Sequence, residues 1–414
     1  MNRQPYQTPP RWWPPLLSPR WVKIWRPWRR YQQIRQQRVL EIEVRGLEWV
    51  REAIARRQGV LIVSNHAGHA DCYPIYEAAE QLGCPFYVMV AWQVFFRERP
   101  LSRLVLRHHG CFSVDREGAD MRAFRQAVEV LESRPNPLVI FPEGEVYHIN
   151  ETVAPFREGP AAIAMLAARK ADRPIVCIPC GLKYHYIEDP TPDLLRLMDD
   201  LERAIFWRPR PDLSLPQRIY HFAEGALALK EIEHFGRSQS GALPERVGNL
   251  VEFILGRLEV RYGLDRAGAS VPERVKACRQ AAIKRLEELP ENAPERRQCG
   301  EDLDDVFLAV QLFSYPGNYV AQQPSIERIA ETLDKFEEDV LGVPTATIRG
   351  ARKATLAFGE PIAVEAGRSK GGAAALARSM ERRVQSLVDG IEAPAGRSFA
   401  TVLPDEPSAS KTTA

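Results

Sequence analysis

Residues 60–71 constrain the fold more than any other stretch of the chain. The stretch opens with β-branched and aliphatic residues at 60–63, which is typical of a buried strand. Small polar residues follow, and the periodic segment 72–82 then indicates a helix. His66 and Asp71 therefore lie where a strand passes into a helix. Because open α/β sheets bind ligands outside the carboxyl ends of their strands, this loop is the first candidate for a functional site.

The spacing of His66 and Asp71 suggests how the two side chains work together. Four residues separate them, and a loop of this length lets the imidazole turn towards the carboxylate. A carboxylate on one ring nitrogen fixes the tautomer and leaves the other nitrogen as a base. For an isolated pair of this kind, the alternative is a histidine that is merely satisfied by a neighbouring carboxylate.

Three further motifs follow the histidine motif in a fixed order. They are Gly110-Cys111-Phe112-Ser113-Val114-Asp115-Arg116, then Phe141-Pro142-Glu143-Gly144, and then the apolar strand Ile175-Val176-Cys177-Ile178-Pro179. Together with Asn65-His66 and Asp71, this series resembles the four motifs of the glycerolipid acyltransferases, which include lysophosphatidate and glycerol-3-phosphate acyltransferases. The resemblance covers roughly residues 38–184 and a strand and turn at 358–362.

The resemblance implies an α/β fold with a mostly parallel sheet covered by helices. It also implies direct acyl transfer from an acyl thioester, either acyl-CoA or acyl-ACP, to a hydroxyl, with no metal and no further cofactor. His66 would be the general base and Asp71 its orienting partner. Arg116 would lie near the phosphate of the acceptor, and Glu143 would accept hydrogen bonds from glycerol hydroxyls at a turn that Gly144 permits.

One departure from the family pattern leaves the acceptor open. The third motif usually continues with Thr-Arg or serine-type residues, but Glu145-Val146-Tyr147-His148 follows here. Lysophosphatidate is the preferred acceptor, and glycerol 3-phosphate or another, less anionic lysolipid is the alternative. Arg157 is a candidate to supply the missing positive charge. Arg116 could instead form a surface salt bridge with Asp115 or Glu117, and Glu143 could be a structural turn carboxylate.

The distribution of strand and helix patterns divides the chain into five parts. Strands alternate with helices over 39–186, which predicts the acyltransferase α/β core. Helical patterns dominate 187–350, which we interpret as a large insertion, either structural or oligomeric or a cap over the acyl or acceptor site. A strand and a helix at 351–392 complete the core. The Pro-, Ser- and Thr-rich tail 393–414 is expected to be disordered.

The N-terminal segment 1–38 is basic and rich in tryptophan. Nine basic residues precede the first acid, and the segment holds five tryptophans: Trp12, Trp13, Trp21, Trp25 and Trp28. Tryptophan favours the membrane–water interface and arginine favours anionic head groups, so we expect an interfacial segment. The alternative is that these tryptophans pack on the catalytic domain. No apolar run approaches the ~20 residues that span a bilayer, so the chain is expected to be cytoplasmic and peripheral at the inner face of the membrane.

Composition and cysteine usage narrow the classes of protein to which the chain could belong. The chain is 45% hydrophobic and 27% charged with a net charge of +2, which is typical of a globular protein, and no nucleic-acid partner is expected. Seven cysteines form no disulfide framework. Two rival functions stay open. One is a metal-dependent hydrolase that uses His66, His69 and Asp71, and the other is a catalytically inactive membrane-binding protein.

Overall fold

A computed structural model describes residues 10–394 except 117, 119, 266–267, 316, 323–324 and 368–370. The predictions for Arg3 and for most of the disordered tail fall outside these residues. The chain divides into two units. The sheet unit comprises residues 7–188 and 350–397, and the helical unit comprises residues 189–349.

The described part of the sheet unit contains an eight-stranded sheet. The strands are β1 (Val39–Arg45), β2 (Gly59–Ser64), β3 (Tyr87–Ala91), β4 (Cys111–Val114), β5 (Leu138–Ile140), β6 (Ile175–Tyr186), β7 (Arg352–Phe358) and β8 (Ile362–Ala363). Their order is β1-β7-β6-β2-β5-β3-β4, and β8 pairs with β6. The neighbours are parallel except where β6 meets β7 and β8. The predicted fold class, a mostly parallel sheet in an α/β protein, is confirmed.

Helices cover the sheet and fill the second unit. Those before the helical unit are α1 (Pro19–Ile24), α2 (Arg26–Tyr31), a π-helix (Gln32–Gln36), α3 (Leu47–Ala55), α4 (Cys72–Leu82), α5 (Trp92–Arg97), α6 (Pro100–His108), α7 (Met121–Ser133) and α8 (Gly159–Lys170). The helical unit holds α9 (Thr191–Phe206), α10 (Leu215–Phe235), α11 (Leu243–Tyr262), α12 (Val271–Glu288), α13 (Glu295–Phe313), α14 (Tyr319–Gln322) and α15 (Ile326–Val340). The last helix of the sheet unit is α16 (Gly372–Asp389).

Strand β2 separates two hydrophobic cores. Because successive side chains of a strand point to opposite faces, Val60 and Ile62 join the core formed with α3 and α4. Leu61 and Val63 join the core formed with α7, α8 and α16. Every residue of β2 is buried, which explains the uninterrupted apolar run in the sequence.

The structure departs from the sequence patterns at two places. The pattern over 96–107 predicts one helix, but α5 and α6 are separate because Pro100, which has no amide hydrogen, begins α6 and its predecessor Arg99 is extended. The helix α13 was not predicted, although its buried positions Cys299, Leu303, Val306 and Val310 recur with helical spacing.

Strand β6 is far longer than the apolar run that predicted it. The expectation ended at Ile178, but the strand continues to Tyr186 as the antiparallel partner of β7. Its pairing with β2 ends at Cys180. Beyond that point, two buried asparagine side chains form hydrogen bonds with the β6 backbone where β2 no longer does. Asn65 exchanges two hydrogen bonds of 2.8 Å with the backbone of Leu182. Asn150 exchanges two of 2.7 Å with the backbone of Tyr184.

The N-terminal segment packs on the sheet unit through its first two tryptophans. The Trp13 ring stacks on Phe95 with centroids 5.5 Å apart, and its amide donates to Ser113 Oγ at 2.8 Å. Trp12 contacts Phe112 edge to face at 6.2 Å. The alternative of packing on the catalytic domain therefore describes this part of the segment.

A buried arginine fastens the helical part of the same segment. Arg29 is 6% exposed, forms an ion pair with Glu80, and donates to His109 Nε2 at 2.8 Å. Burial lowers the pKa of His109 to about 4, so the ring is neutral at pH 7 and its Nε2 can accept this hydrogen bond while Nδ1 donates to the carbonyl of Val105.

The outer face of the segment carries a row of exposed apolar side chains. Trp21 and Trp28 are each 43% exposed, and Ile24 and Tyr31 are each 58% exposed. Their spacing of three or four residues places them along one side of α1 and α2. Among the described residues, no helix has both the length and the apolar character required to cross a bilayer.

Replacement of Asn65 tests the role of the asparagine bridges. Asn65→Ala leaves the buried N–H and C=O of Leu182 without partners, and each such group costs about 1–3 kcal/mol. We expect the free energy of unfolding of the sheet unit to fall by about 2 kcal/mol or more. Urea denaturation monitored by circular dichroism would measure it. Asn136→Ala is the control, because half-buried Asn136 donates one hydrogen bond to a backbone carbonyl, that of Pro85. Equal losses in both variants would contradict the bridging role.

Candidate active site

The carboxyl ends of four neighbouring parallel strands meet at one edge of the sheet. His66 follows β2, Glu143 and Gly144 follow β5, and Arg116 follows β4. The strand order therefore brings together residues that lie up to 78 positions apart in the chain. The sequence-predicted site residues all lie at this edge.

His66 and Asp71 form the pair at the centre of the site. The His66 Nδ1 atom lies 2.7 Å from Asp71 Oδ2. The His66 side chain is 24% exposed, whereas that of Asp71 is 1% exposed. A carboxylate can only accept a hydrogen bond, so it requires the proton on Nδ1 and leaves the lone pair on Nε2. The imidazole thus has one nitrogen held by the protein and one available as a base.

Three donors fix the Asp71 carboxylate. Besides His66, the amide of Gly68 donates at 3.1 Å, and the Tyr184 hydroxyl donates to Oδ1 at 3.0 Å. Tyr184 lies on β6 and is held there by the Asn150 bridge. Sequence reasoning missed this tyrosine, because no local pattern relates it to a carboxylate 113 positions earlier. Asp71 is therefore positioned by its own loop and by a distant strand together.

An aromatic ring packs against the imidazole of His66. The ring of Phe141, at the end of β5, stacks against the imidazole with centroids 4.4 Å apart and an interplanar angle of 23°. With Nδ1 bonded to Asp71, this stacking restricts rotation of the ring. Phe141 belongs to the third motif, but the sequence indicated no role for its side chain.

Glu143 is buried behind the loop that follows β2, with 4% of its surface exposed. Its Oε1 accepts a hydrogen bond of 3.0 Å from the backbone amide of His66. Burial, assisted by the charge of Asp71, raises the pKa of Glu143 to about 8, although the amides of His66 and Ala154 act in the opposite direction. The contact thus ties the end of β5 to the loop after β2. Binding of glycerol hydroxyls by Glu143 stays a prediction.

Gly144 is required at its position for two reasons. Its φ of +78° lies in the left-handed region that favours glycine. A Cβ atom there would also lie 2.5 Å from Arg157 Nε, because the guanidinium of Arg157 packs against the turn. The sequence expectation of an unusual backbone angle agrees with this conformation.

Arg116 forms an ion pair that the sequence did not predict. Its Nη1 lies 2.8 Å from Glu145 Oε2 and also donates to the carbonyl of Gly144. The expected salt-bridge partners were Asp115 or Glu117; the structure shows Glu145 instead, and Glu117 is outside the described residues. The reason is the strand order, since β4 and β5 both end beside β3.

The guanidinium groups around the Gly144 turn are only partly paired. Arg116 and Arg157 both flank Gly144, and Glu145 is the acid that pairs with Arg116. The Nε atom of Arg116 is buried and has no hydrogen-bond partner among the described residues. Arg157 Nη1 reaches the carbonyl of Arg116 at 3.5 Å. The turn therefore retains donor capacity for an oxygen-rich ligand.

His69 does not join His66 and Asp71 in a common cluster. Its side chain is exposed, and its ring meets that of His148 edge to face at 5.3 Å. Among the described residues, His66, His69 and Asp71 are not gathered as three possible metal ligands. The Nδ1 atom of His66 is instead engaged with Asp71.

Comparison with known proteins gives a match in the region of the chain that holds the candidate site. Residues 41–183 match the family model described as Acyltransferase. No curated protein matches the chain. The matched segment begins in β1 and ends in β6, and it includes all four motifs and the His66–Asp71 pair. Residues 41–183 are thus similar to an acyltransferase domain.

Proposed function

We propose that this protein moves a fatty acyl group from an acyl thioester to a hydroxyl of lysophosphatidate, with His66 as the general base. The observation that carries the proposal is the pairing of His66 Nδ1 with the buried carboxylate of Asp71 at 2.7 Å, at the ligand-binding edge of an acyltransferase domain. The donor is acyl-CoA or acyl-ACP, and no cofactor takes part.

The proposed reaction is a direct transfer. Nε2 of His66 removes the proton from the acceptor hydroxyl as its oxygen attacks the thioester carbonyl carbon. The tetrahedral intermediate collapses, the carbon–sulfur bond breaks, and the imidazolium returns the proton to the departing thiolate. Asp71 stabilises the transient imidazolium because its buried charge faces Nδ1.

Substitution of the pair tests this mechanism. We expect His66→Ala to lower kcat by about 10²–10⁴-fold, because a general base contributes about that much. Asp71→Asn should also be severe, since an amide can favour the wrong tautomer. Transfer from a labelled thioester to lysophosphatidate would measure both. His69→Ala is the matched control, because it removes an exposed imidazole from the same loop. Near-normal turnover by folded His66→Ala protein would sink the mechanism.

The turn around Gly144 supports a phosphate-bearing acceptor. Two guanidinium groups flank this turn, and Glu145 pairs with one of them. Arginine binds phosphate through two parallel donors, and Nε of Arg116 has no partner among the described residues. Glycerol 3-phosphate carries the same group, so it stays the alternative acceptor.

Arg116 is the residue to test for phosphate binding. We expect Arg116→Ala to raise the acceptor KM by about 10–150-fold, the equivalent of a charged hydrogen bond of about 1.5–3 kcal/mol. The thioester KM should change little. Arg116→Lys should recover part of the loss, because it keeps the charge but not the planar fork.

A non-phosphorylated lysolipid provides the control for Arg116. If Arg116 binds phosphate, removal of the side chain should not affect this acceptor. An equal loss for both acceptors, together with a lower melting temperature, would show instead that the Arg116–Glu145 pair is structural.

A membrane surface is the proposed partner, with the protein peripheral at the cytoplasmic side. The support is the row formed by Trp21, Ile24, Trp28 and Tyr31, which stays exposed although the neighbouring Arg29 is buried. Exposed cations such as Arg20 and Lys23 flank the row. Apolar side chains beside basic ones are typical of helices that lie in an anionic interface.

Two substitutions in the exposed row test this partner. Because a fully buried large apolar side chain contributes about 1.5–3 kcal/mol, Ile24→Ser with Trp28→Ser should weaken binding to phosphatidylglycerol vesicles by at least about tenfold. Vesicle sedimentation would measure it. Trp207→Ser is the control, because Trp207 is 90% exposed but lies outside the N-terminal segment. Unchanged binding by the double variant would assign the row to another role.

A further inference from the structure

The helical unit encloses an apolar cavity of about 310 Å³ that the acyltransferase function does not use. Side chains from α9, α10, α11, α13, α14 and α15 line it, including Ile219, Ala226, Leu312 and Phe336. Its volume lies at the lower end of the range for small-molecule sites, and its mostly hydrophobic lining is typical of them. An apolar cavity of this kind does not hold water well, because water needs two to four polar partners.

The cavity opens beside exposed apolar side chains. Leu229 and Val340 both line it, and they are 56% and 36% exposed. Ile232, one turn of α10 after Leu229, is 50% exposed. These three side chains therefore give an apolar ligand an apolar approach to the cavity, although Lys230 also lines it.

Several polar groups that line the cavity lie close together at one wall. Tyr315 and Gln311 each donate to Asp339 at 2.7 Å. Lys335 lines the same wall, 4% exposed, with its ammonium 5.1 Å from the Tyr315 ring centroid. An ammonium has three N–H donors. Within the described residues, Lys335 donates one hydrogen bond, to the carbonyl of Ser314 at 2.5 Å.

The charges at this wall favour an uncharged ligand head. Burial lowers the pKa of Lys335 to about 8, while the charges of Glu331 and Asp339 act to raise it. These acids offset the positive charge of Lys335, so a carboxylate or phosphate would gain no net attraction at this wall. A carbonyl or hydroxyl oxygen can accept a hydrogen bond from Lys335 without adding charge.

We propose that the helical unit binds a neutral single-chain lipid, with its hydrocarbon chain in this cavity and a head-group oxygen at Lys335. The ligand class is a monoacylglycerol or a similar uncharged acyl ester. One chain fits the volume and the apolar walls, and the polar wall gives the chain a defined orientation. The site belongs to the helical unit alone and does not depend on the function proposed for the sheet unit.

Photolabelling locates this ligand. The full-length protein is incubated with a monoacylglycerol whose chain carries a diazirine, irradiated, and mapped by peptide mass spectrometry. We expect labelled peptides from α10, α13 and α15, and loss of at least about nine-tenths of that labelling in Ala226→Phe, which fills the cavity. Ala228→Phe is the control, because Ala228 is on the same helix but does not line the cavity. Labelling confined to residues 39–186, or unchanged in Ala226→Phe, would overturn the proposal.

Substitution of the lysine tests the head-group contact. We expect Lys335→Met to weaken monoacylglycerol binding by about tenfold or more, because a hydrogen bond from a charged donor is lost. Lys230→Met is the matched control, since Lys230 also lines the cavity but its ammonium pairs with Glu233 at 2.7 Å in a partly exposed position. Equal effects of both variants would refute the head-group contact. Tighter binding of the matched fatty acid than of monoacylglycerol to the unmodified protein would refute the uncharged head, and this comparison does not depend on how the variants fold.

Discussion

The candidate site depends on the position of one buried carboxylate. Asp71 is 1% exposed, and burial of an unpaired charge would be costly, so the protein surrounds it with donors. His66, Gly68 and Tyr184 supply them. Because the hydroxyl of Tyr184 and the amide of Gly68 hold the carboxylate in place, the imidazole meets a fixed partner. The central strand β2, the asparagine bridges and β6 can all be understood as the support for this contact.

The second feature of the site is the pairing of Arg116 with Glu145. Glu145 occupies part of the donor capacity of Arg116, and Arg157 packs on the same glycine turn. This pairing holds the Arg116 guanidinium in place, because Glu145 and the carbonyl of Gly144 accept from the same nitrogen. Glu145 stands where the family pattern has a cation, and Arg157 supplies a guanidinium beside the same turn.

The N-terminal segment packs on the sheet unit on one side and leaves apolar side chains exposed on the other. Trp12 and Trp13 pack on the sheet unit, and Arg29 is buried against Glu80 and His109. The opposite side of α1 and α2 remains apolar and exposed. A segment that is fixed by buried contacts can present an apolar row in a defined orientation. The helical unit similarly combines a structural framework with a cavity of its own.

The sequence by itself determined the local features of this protein. The period-two and helical patterns predicted most strands and helices of the sheet unit, and the four motifs lie within the segment that matches the acyltransferase family model. His66 and Asp71 are separated by one loop, so their proximity follows from short-range geometry.

Only the tertiary structure decided the long-range partners. Tyr184 reaches Asp71, Glu145 reaches Arg116, and the asparagines reach β6 because the strand order brings distant strand ends to one edge. The cavity around Lys335 likewise arises from six helices that no local pattern relates. Periodicity reports which face of an element is buried, but it does not say which other element covers that face.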